Sequence, residues 1–114
     1  MVESQLNGGM IWGISFALHE QAIMDPRSGR PMNANLAEYL VPVCADVVDL
    51  DAIFIPGEDI NLSSLGAKGL AELGLCGVAP AIANAVWHAT GTRLRDMPIT
   101  PDKLLRNTKS CAIS

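Results

Sequence analysis

Aromatic residues and long apolar runs are both scarce in this sequence. Phe, Trp and Tyr make up 4% of its 114 residues, so an aromatic platform that stacks nucleic-acid bases is excluded. The longest apolar stretches, near residues 10–18 and 78–86, fall well short of the roughly 20 residues that span a membrane. The net charge of −4 disfavours polyanions such as DNA and RNA. We therefore expect no nucleic acid and no membrane among the partners.

Cysteine is also sparse, with three residues scattered along the chain. They form neither a disulfide framework nor a CxxC metal motif, and an iron–sulfur cluster held by this chain alone would need four. We expect Cys44 and Cys76 to be reduced and packed as small apolar groups.

Apolar residues, in contrast, make up 49% of the chain, and charged residues only 18%. A short chain buries only part of its surface, so such a sequence either exposes apolar side chains or covers them with a partner. We therefore expect a piece of a larger assembly. The alternative is a compact domain rich in alanine and glycine, which raise hydrophobicity without much volume.

Hydrophobic periodicity predicts an α+β fold, in which two main helices pack on a small mixed β-sheet. The predicted helices cover residues 3–21 and 77–90, and a third, short helix runs from Pro101 to about Arg106, followed by a polar tail at 107–114. The predicted strands cover residues 21–24, 47–55 and 93–99, with a turn at 25–31 and a loop at 56–65.

Three glycines in the first predicted helix need a reason, because a helical glycine costs up to ~1 kcal/mol relative to alanine. They are Gly8, Gly9 and Gly13. Tight helix packing and close approach of a ligand explain them equally well at this point.

Acidic side chains cluster around the predicted strand at 47–55. Asp46, Asp49 and Asp51 suggest a cation site, but they lack the glycine and the terminal glutamate of a calcium loop. Solvated strand edges are the favoured interpretation.

The glycine-rich segment 66–74 (GAKGLAELG) is the strongest candidate for chemistry. Its glycines allow a sharp turn or a close approach to a ligand. Glu72 lies just before the second predicted helix, among apolar neighbours. Stabilisation by the helix dipole is the structural explanation for an acid there, whereas an apolar pocket would raise its pKa towards that of a general base.

Several ordered segments together resemble a known enzyme family. They are ESQ at 3–5, GG at 8–9, WGI at 12–14, NANLAEY at 33–39, GAKGLAE at 66–72, ANAV at 83–86, HATG at 88–91 and RDMPIT at 95–100. The sequence resembles the molybdenum-binding subunit of the xanthine dehydrogenase and aldehyde oxidase family, and most of all that of bacterial three-subunit aldehyde oxidoreductases.

The resemblance implies a molybdenum-dependent oxidoreductase that hydroxylates aldehydes or N-heterocycles. A molybdenum–molybdopterin cofactor, in the cytosine dinucleotide form, would carry the redox chemistry. Glu72 matches the family's general base, and none of the residues ligates the metal. Two further matches concern the cofactor: Lys68, Gly69, Leu70 and Ala71 fall where the backbone touches it, and Gln5 falls on a glutamine that contacts the pterin.

The resemblance also implies partners, because the family subunit is several times longer than this chain. Residues 1–106 would be the C-terminal part of its cofactor-binding domain. The partners would be the remaining molybdopterin-binding chain, an iron–sulfur subunit and an FAD subunit, and the chain alone would be inactive. One departure is Ala71, which stands where the family usually has glycine, so we expect the loop to sit differently against the metal.

Two other hypotheses stay open at the level of sequence. The chain is either a non-catalytic fragment or structural module that keeps the local fold, or a domain that binds an anion such as phosphate on its glycine-rich loop.

Overall fold

Four α-helices make up the regular structure of this chain in the computed structural model. The structure describes residues 1–57, 61, 63–70 and 72–111, with side chains up to residue 106. The helices are α1 (Val2–Leu18), α2 (Leu73–Cys76), α3 (Val78–Thr90) and α4 (Pro101–Cys111), and a 3-10 turn covers Cys44–Asp46. Within these described ranges no helix is long and apolar enough to cross a membrane.

The expected mixed β-sheet is wrong: the described part of the chain contains no strand. The predicted strand at 21–24 contributes only one isolated antiparallel bridge, between Met24 and Pro31. The segment 93–99 is irregular, and Pro98 has no N–H to donate to a ladder. The segment 47–55 has strand-like residues but finds no neighbouring segment among the described residues. A strand pattern needs a hydrogen-bonded neighbour, and the described residues supply none for 47–55.

α1, α3 and α4 lie close to their predicted positions, whereas α2 was not predicted. α3 ends where expected: Gly91 adopts φ 70° and its N–H donates to the Trp87 carbonyl at 2.7 Å. α4 begins at Pro101 as expected but continues to Cys111, beyond Arg106. α1 ends at Leu18, three residues early, where the Glu20 N–H donates to the Ser15 carbonyl five residues back and so leaves the α-helical pattern.

A hairpin-like loop follows α1, as the turn residues predict. Asp25 organises its tip by accepting hydrogen bonds from the Arg27 N–H at 3.0 Å and the Ser28 hydroxyl at 2.7 Å. These hydrogen bonds lower the pKa of Asp25, and the one from the Arg27 N–H has the larger effect. At its base the buried Asn33 donates to the Gln21 carbonyl at 2.7 Å and accepts from the Ile23 N–H at 2.9 Å.

The core that this chain builds is thin. Ala17 and Ile99 are its buried apolar side chains, and the Ile99 N–H donates to the Ala17 carbonyl at 2.7 Å. The radius of gyration is 18.5 Å, whereas a compact domain of this length has about 13 Å. The accessible surface is 9215 Å², against about 6,000 Å² for a compact monomer of this mass.

Much of the apolar surface therefore stays uncovered. Cys44 and Cys76 are exposed rather than packed, which corrects that expectation. Large apolar side chains such as Leu36, Val48 and Ile53 are more than four-fifths exposed. Many of the apolar side chains are therefore exposed, as expected for a chain whose apolar surface needs a partner to cover it.

Candidate functional site

The glycine-rich segment is held against α1 by backbone contact. A Cβ on Gly74 would lie 2.7 Å from the Leu6 carbonyl oxygen, and a Cβ on Gly9 would lie 3.3 Å from the Gly74 Cα. Neither glycine leaves room for a side chain, so α1 and α2 touch backbone to backbone. This contact brings the first turns of α1 next to a segment that is more than sixty residues away in sequence.

A second glycine of α1, Gly13, packs against Val78 at the start of α3. A Cβ on Gly13 would lie 2.5 Å from the Val78 Cβ, so Val78 occupies the space that a side chain would fill. Of the two explanations for the glycines of the first helix, tight packing holds for Gly9 and Gly13. Gly8 has open space around it, and no described residue explains why it is a glycine.

The loop before α2 offers three unpaired backbone donors. Upstream, the Gly66 N–H donates to the Ser63 carbonyl, and the Ala67 N–H to the Ser63 hydroxyl. The N–H groups of the next three residues, 68–70, have no acceptor in the described part of the chain. A Cβ at Gly69 would meet nothing within 4 Å, so nothing described crowds this loop. Ala71, the fourth residue of the expected cofactor loop, lies outside the described residues.

Glu72 immediately precedes α2 and faces solvent. Its side chain makes no capping hydrogen bond, and its carbonyl accepts from the Leu75 N–H at 3.2 Å. It lines an open cleft of about 350 Å³ with Gly69, Leu70 and Leu73. The enclosed apolar pocket that a general base needs is not formed by the described residues. The helix-dipole explanation is weak as well, because α2 has only four residues.

Gln5 lies at the same end of the α1–α2 contact. It is exposed on the first turns of α1 and precedes Leu6, whose carbonyl faces Gly74. Two positions further along, the Oδ1 atom of Asn7 is buried without a hydrogen-bond partner in the described structure. The backbone contact between α1 and α2 forms a junction, with Gln5 on the first turns of α1 and with residues 68–70 and Glu72 on the segment that leads into α2. The Gln5 amide and the N–H groups of residues 68–70 are donors that suit an anionic group such as a phosphate, whereas the Glu72 carboxylate can only accept.

A hydrogen-bonded cluster that the sequence did not reveal lies at the C-terminal end of α1. The buried Ser15 hydroxyl donates to one carboxylate oxygen of Glu20, and the Tyr39 hydroxyl donates to the other at 2.8 Å. The hydrogen bond to Glu20 raises the pKa of Tyr39, with a smaller contribution from burial. The one sequence signal for this cluster was Ser15, a serine within the apolar stripe of a predicted helix.

The acidic cluster shows no metal site. Asp46 accepts a hydrogen bond from the Val43 N–H at 2.8 Å, and Asp49 and Asp51 are exposed. No group of three or more His, Cys, Asp or Glu side chains converges in the ranges that the structure describes. The solvated interpretation of these acids fits this arrangement.

Comparison with known proteins identifies the class of domain. The family described as "Molybdopterin cofactor-binding domain" matches residues 1–48. The fold agrees: a crystal structure of the carbon monoxide-reduced Cu,Mo-CO dehydrogenase superimposes with a TM-score of 0.82 at 20% identity, over 98% of this chain and 14% of that chain.

Two relatives of higher sequence identity show which family of molybdopterin-binding proteins the chain belongs to. The aldehyde oxidoreductase molybdenum-binding subunit PaoC of Escherichia coli (strain K12) is 51% identical over 102 residues, which are 90% of this chain and 14% of the relative. The xanthine dehydrogenase molybdenum-binding subunit of Escherichia coli O157:H7 is 41% identical over 106 residues, 91% of this chain and 14% of the relative. These matches confirm the resemblance to the xanthine dehydrogenase and aldehyde oxidase family. This chain matches the molybdopterin-binding region of molybdenum hydroxylase large subunits, and it spans about one seventh of their length.

Proposed function

We propose that this chain completes the active site of a molybdenum hydroxylase, contributing the general base and part of the cofactor-binding surface. Residues 1–106 form the C-terminal part of the cofactor-binding domain. Glu72 is the base, the loop residues Lys68, Gly69, Leu70 and Ala71 bind the cofactor through their backbone, and Gln5 contacts the pterin. The substrate is an aldehyde or an N-heterocycle.

The backbone contact between Gly9 and Gly74 supports this proposal, because it joins the helix that carries Gln5 to the segment that carries the unpaired N–H groups of residues 68–70 and Glu72. Unpaired backbone N–H groups in an open loop can bind a large anionic cofactor whatever side chains the loop carries. The matched residues make up 14% of the relative PaoC, and the rest of such a subunit would cover the junction.

The cofactor, when bound, supplies the two-electron chemistry. Glu72 has the simpler task of accepting a proton next to it. A carboxylate that is exposed in this chain, with free rotation and no capping hydrogen bond, is available for that role. Closure of the cleft by the rest of the subunit would exclude water from the surroundings of Glu72.

The remaining components follow from the same resemblance. We propose that the cofactor is molybdopterin cytosine dinucleotide, held jointly with the remaining molybdopterin-binding chain. An iron–sulfur subunit and an FAD subunit would carry the electrons away. The named relatives are molybdenum-binding subunits, a term that itself implies further subunits.

A chimera tests the proposal directly. The 102 residues of this chain that match the E. coli subunit PaoC would replace their counterparts in that subunit, within the assembled enzyme. We expect the chimera to retain molybdenum and to oxidise aldehydes. Glu72→Gln should retain molybdenum and lower kcat by about 10²–10⁴-fold, the usual contribution of a general base.

Glu38→Gln is the matched control. Glu38 is an exposed acid that accepts a hydrogen bond from the Asn35 side chain, away from the junction, so activity should be unchanged. Full activity of Glu72→Gln would disprove the assignment of the base. A folded chimera without molybdenum would favour the non-catalytic module instead.

A further inference from the structure

The segment from residue 48 to residue 57 forms no hydrogen bond to any part of the chain that the structure describes. The segment follows the 3-10 turn, and its preceding residue, Val47, already has extended dihedral angles, φ −102° and ψ 99°. Ten consecutive residues without internal hydrogen bonds are unusual in a folded domain, because backbone donors and acceptors are nearly always paired or hydrated.

Between residues 49 and 53 burial alternates with a period of two, whereas Val48 and residues 54–57 are all exposed. Leu50 and Ala52 are half-buried, whereas Asp49, Asp51 and Ile53 are exposed, Ile53 by 86%. Alternation of this kind is the signature of extended backbone with one face against the protein. The segment is also rich in Val and Ile, and Pro56 follows it, where a strand would end. The segment therefore has the side chains of a strand and, at its centre, the burial pattern of one, but no strand lies beside it among the described residues.

We infer that residues 48–55 add as a β-strand to the edge of a sheet in the part of the molybdenum-binding subunit that this chain does not contain. This inference rests on the proposed function. Strand addition would supply the missing hydrogen bonds through the main chain. The relatives carry about six times more sequence than the matched part, which provides the room for such a sheet.

A second copy of this chain is the less suitable neighbour. When residues 48–55 of two copies pair in parallel and in register, Asp49 and Asp51 each face the same residue of the other copy. Like charges directly opposite each other destabilise a strand pair. The outward aspartates instead favour a neighbouring strand that carries Lys or Arg opposite them.

Hydrogen exchange measured by mass spectrometry tests this interface in the PaoC chimera and in the free chain. We expect the amides of residues 48–55 to exchange at nearly unprotected rates in the free chain and at least 100-fold more slowly in the chimera. Amides of α3, such as that of Ile82, should be slow in both and serve as the reference. If the larger chimera does not fold, a transplant of residues 47–55 alone into PaoC permits the same measurement.

Proline variants separate strand pairing from simple burial. The N–H groups of Asp51 and Ala52 point to opposite edges of a strand, so at least one of Asp51→Pro and Ala52→Pro should restore fast exchange across the segment. Asp51→Asn, which removes the charge but keeps the donor, should leave exchange slow.

Three results would overturn the inference. These are fast exchange of the segment in an active chimera, slow exchange in both proline variants, or slow exchange in a free chain that sediments as a dimer. The first of them would leave the proposed function intact. Slow exchange in a chimera that holds molybdenum but whose Glu72→Gln variant is fully active would support the strand and refute the proposed base.

Discussion

Gly9 and Gly74 touch through their backbones, and no side chain fits between them. The Cβ that alanine would add at Gly74 lies 2.7 Å from the Leu6 carbonyl oxygen, a distance that real Cβ atoms essentially never show. Because neither backbone can move without displacing its helix, this contact fixes where the loop that carries Glu72 meets the first turns of α1.

Gly74→Ala should therefore disturb the site more than its small size suggests. We expect a loss of about 1–3 kcal/mol in the free energy of unfolding, since the clash is with backbone and cannot be relieved by rotating a side chain. In the PaoC chimera, kcat should fall by about 100-fold, the usual consequence of a misplacement of about 1 Å. Urea denaturation and steady-state kinetics measure the two effects.

Gly77→Ala is the control for that variant. Gly77 borders α2 and has φ −88°, and a Cβ there would meet nothing within 4 Å. Stability and kcat should be unchanged or slightly improved, because alanine has a lower conformational entropy in the unfolded chain. Equal damage by both variants would contradict the role of the Gly9–Gly74 contact.

Gly13→Ala should be destabilising for a different reason, one that a second substitution relieves. Its Cβ would lie 2.5 Å from the Val78 Cβ, so the clash is with a branched side chain. We expect a loss of about 1–3 kcal/mol. In Gly13→Ala/Val78→Ala the two changes should compensate, with a coupling free energy of about 1 kcal/mol or more in a double-mutant cycle. Additive effects would show that α3 does not pack on Gly13.

Tyr39 should titrate above the ordinary pKa of tyrosine, about 10. Its hydroxyl donates to the Glu20 carboxylate, and deprotonation would place two negative charges together. A pKa raised by folding means that the pair stabilises the fold fully below pH ~10 and that this stabilisation is lost as the pH rises through the folded value.

Phenolate absorbance reports this titration cleanly, because the sequence contains one tyrosine. Glu20→Gln should shift the midpoint down towards 10, and Tyr39→Phe should abolish the signal. An identical midpoint in wild type and Glu20→Gln would show that the hydrogen bond does not form in solution.

Asn33→Ala should loosen the loop that follows α1. The buried side chain holds both arms of that loop, through the Gln21 carbonyl and the Ile23 N–H. Removal leaves these backbone groups without their partner, at a cost of about 1–3 kcal/mol for each one that stays buried. Urea denaturation gives the change, and Asn35→Ala, which alters an exposed turn residue, should cost less. Equal costs for the two variants would show that Asn33 is not the anchor.

The helices could be read from the sequence because their signals are local. Pro101 after Thr100 marks the start of α4, and Gly91 has the left-handed conformation that ends α3. The resemblance came from ordered short segments, and the relatives confirm it. The prediction that Cys44 and Cys76 are buried was wrong. It assumed that free cysteines pack into an apolar core, and the described part of this chain builds only a thin core.

The sheet could not be predicted because pairing is not a local property. Residues 47–55 have the side chains of a strand, and whether they become one depends on a neighbour. The same limit applies to Glu72: it was placed before the helix predicted at 77–90, but it immediately precedes α2, which the sequence did not predict. The apolar pocket that would make it a general base is not formed by the described part of the chain. The cluster of Ser15, Glu20 and Tyr39 joins residues that no sequence motif connects.

The central claim is that this chain works as part of a molybdenum hydroxylase, and gentle affinity purification of the tagged chain from its own host tests it most directly. The account predicts that a large molybdopterin-binding chain, an iron–sulfur chain and an FAD chain elute with it, together with molybdenum in near-stoichiometric amount. A chain that elutes alone and free of molybdenum would contradict the account and would make it a fragment in which Glu72 has no reaction to catalyse.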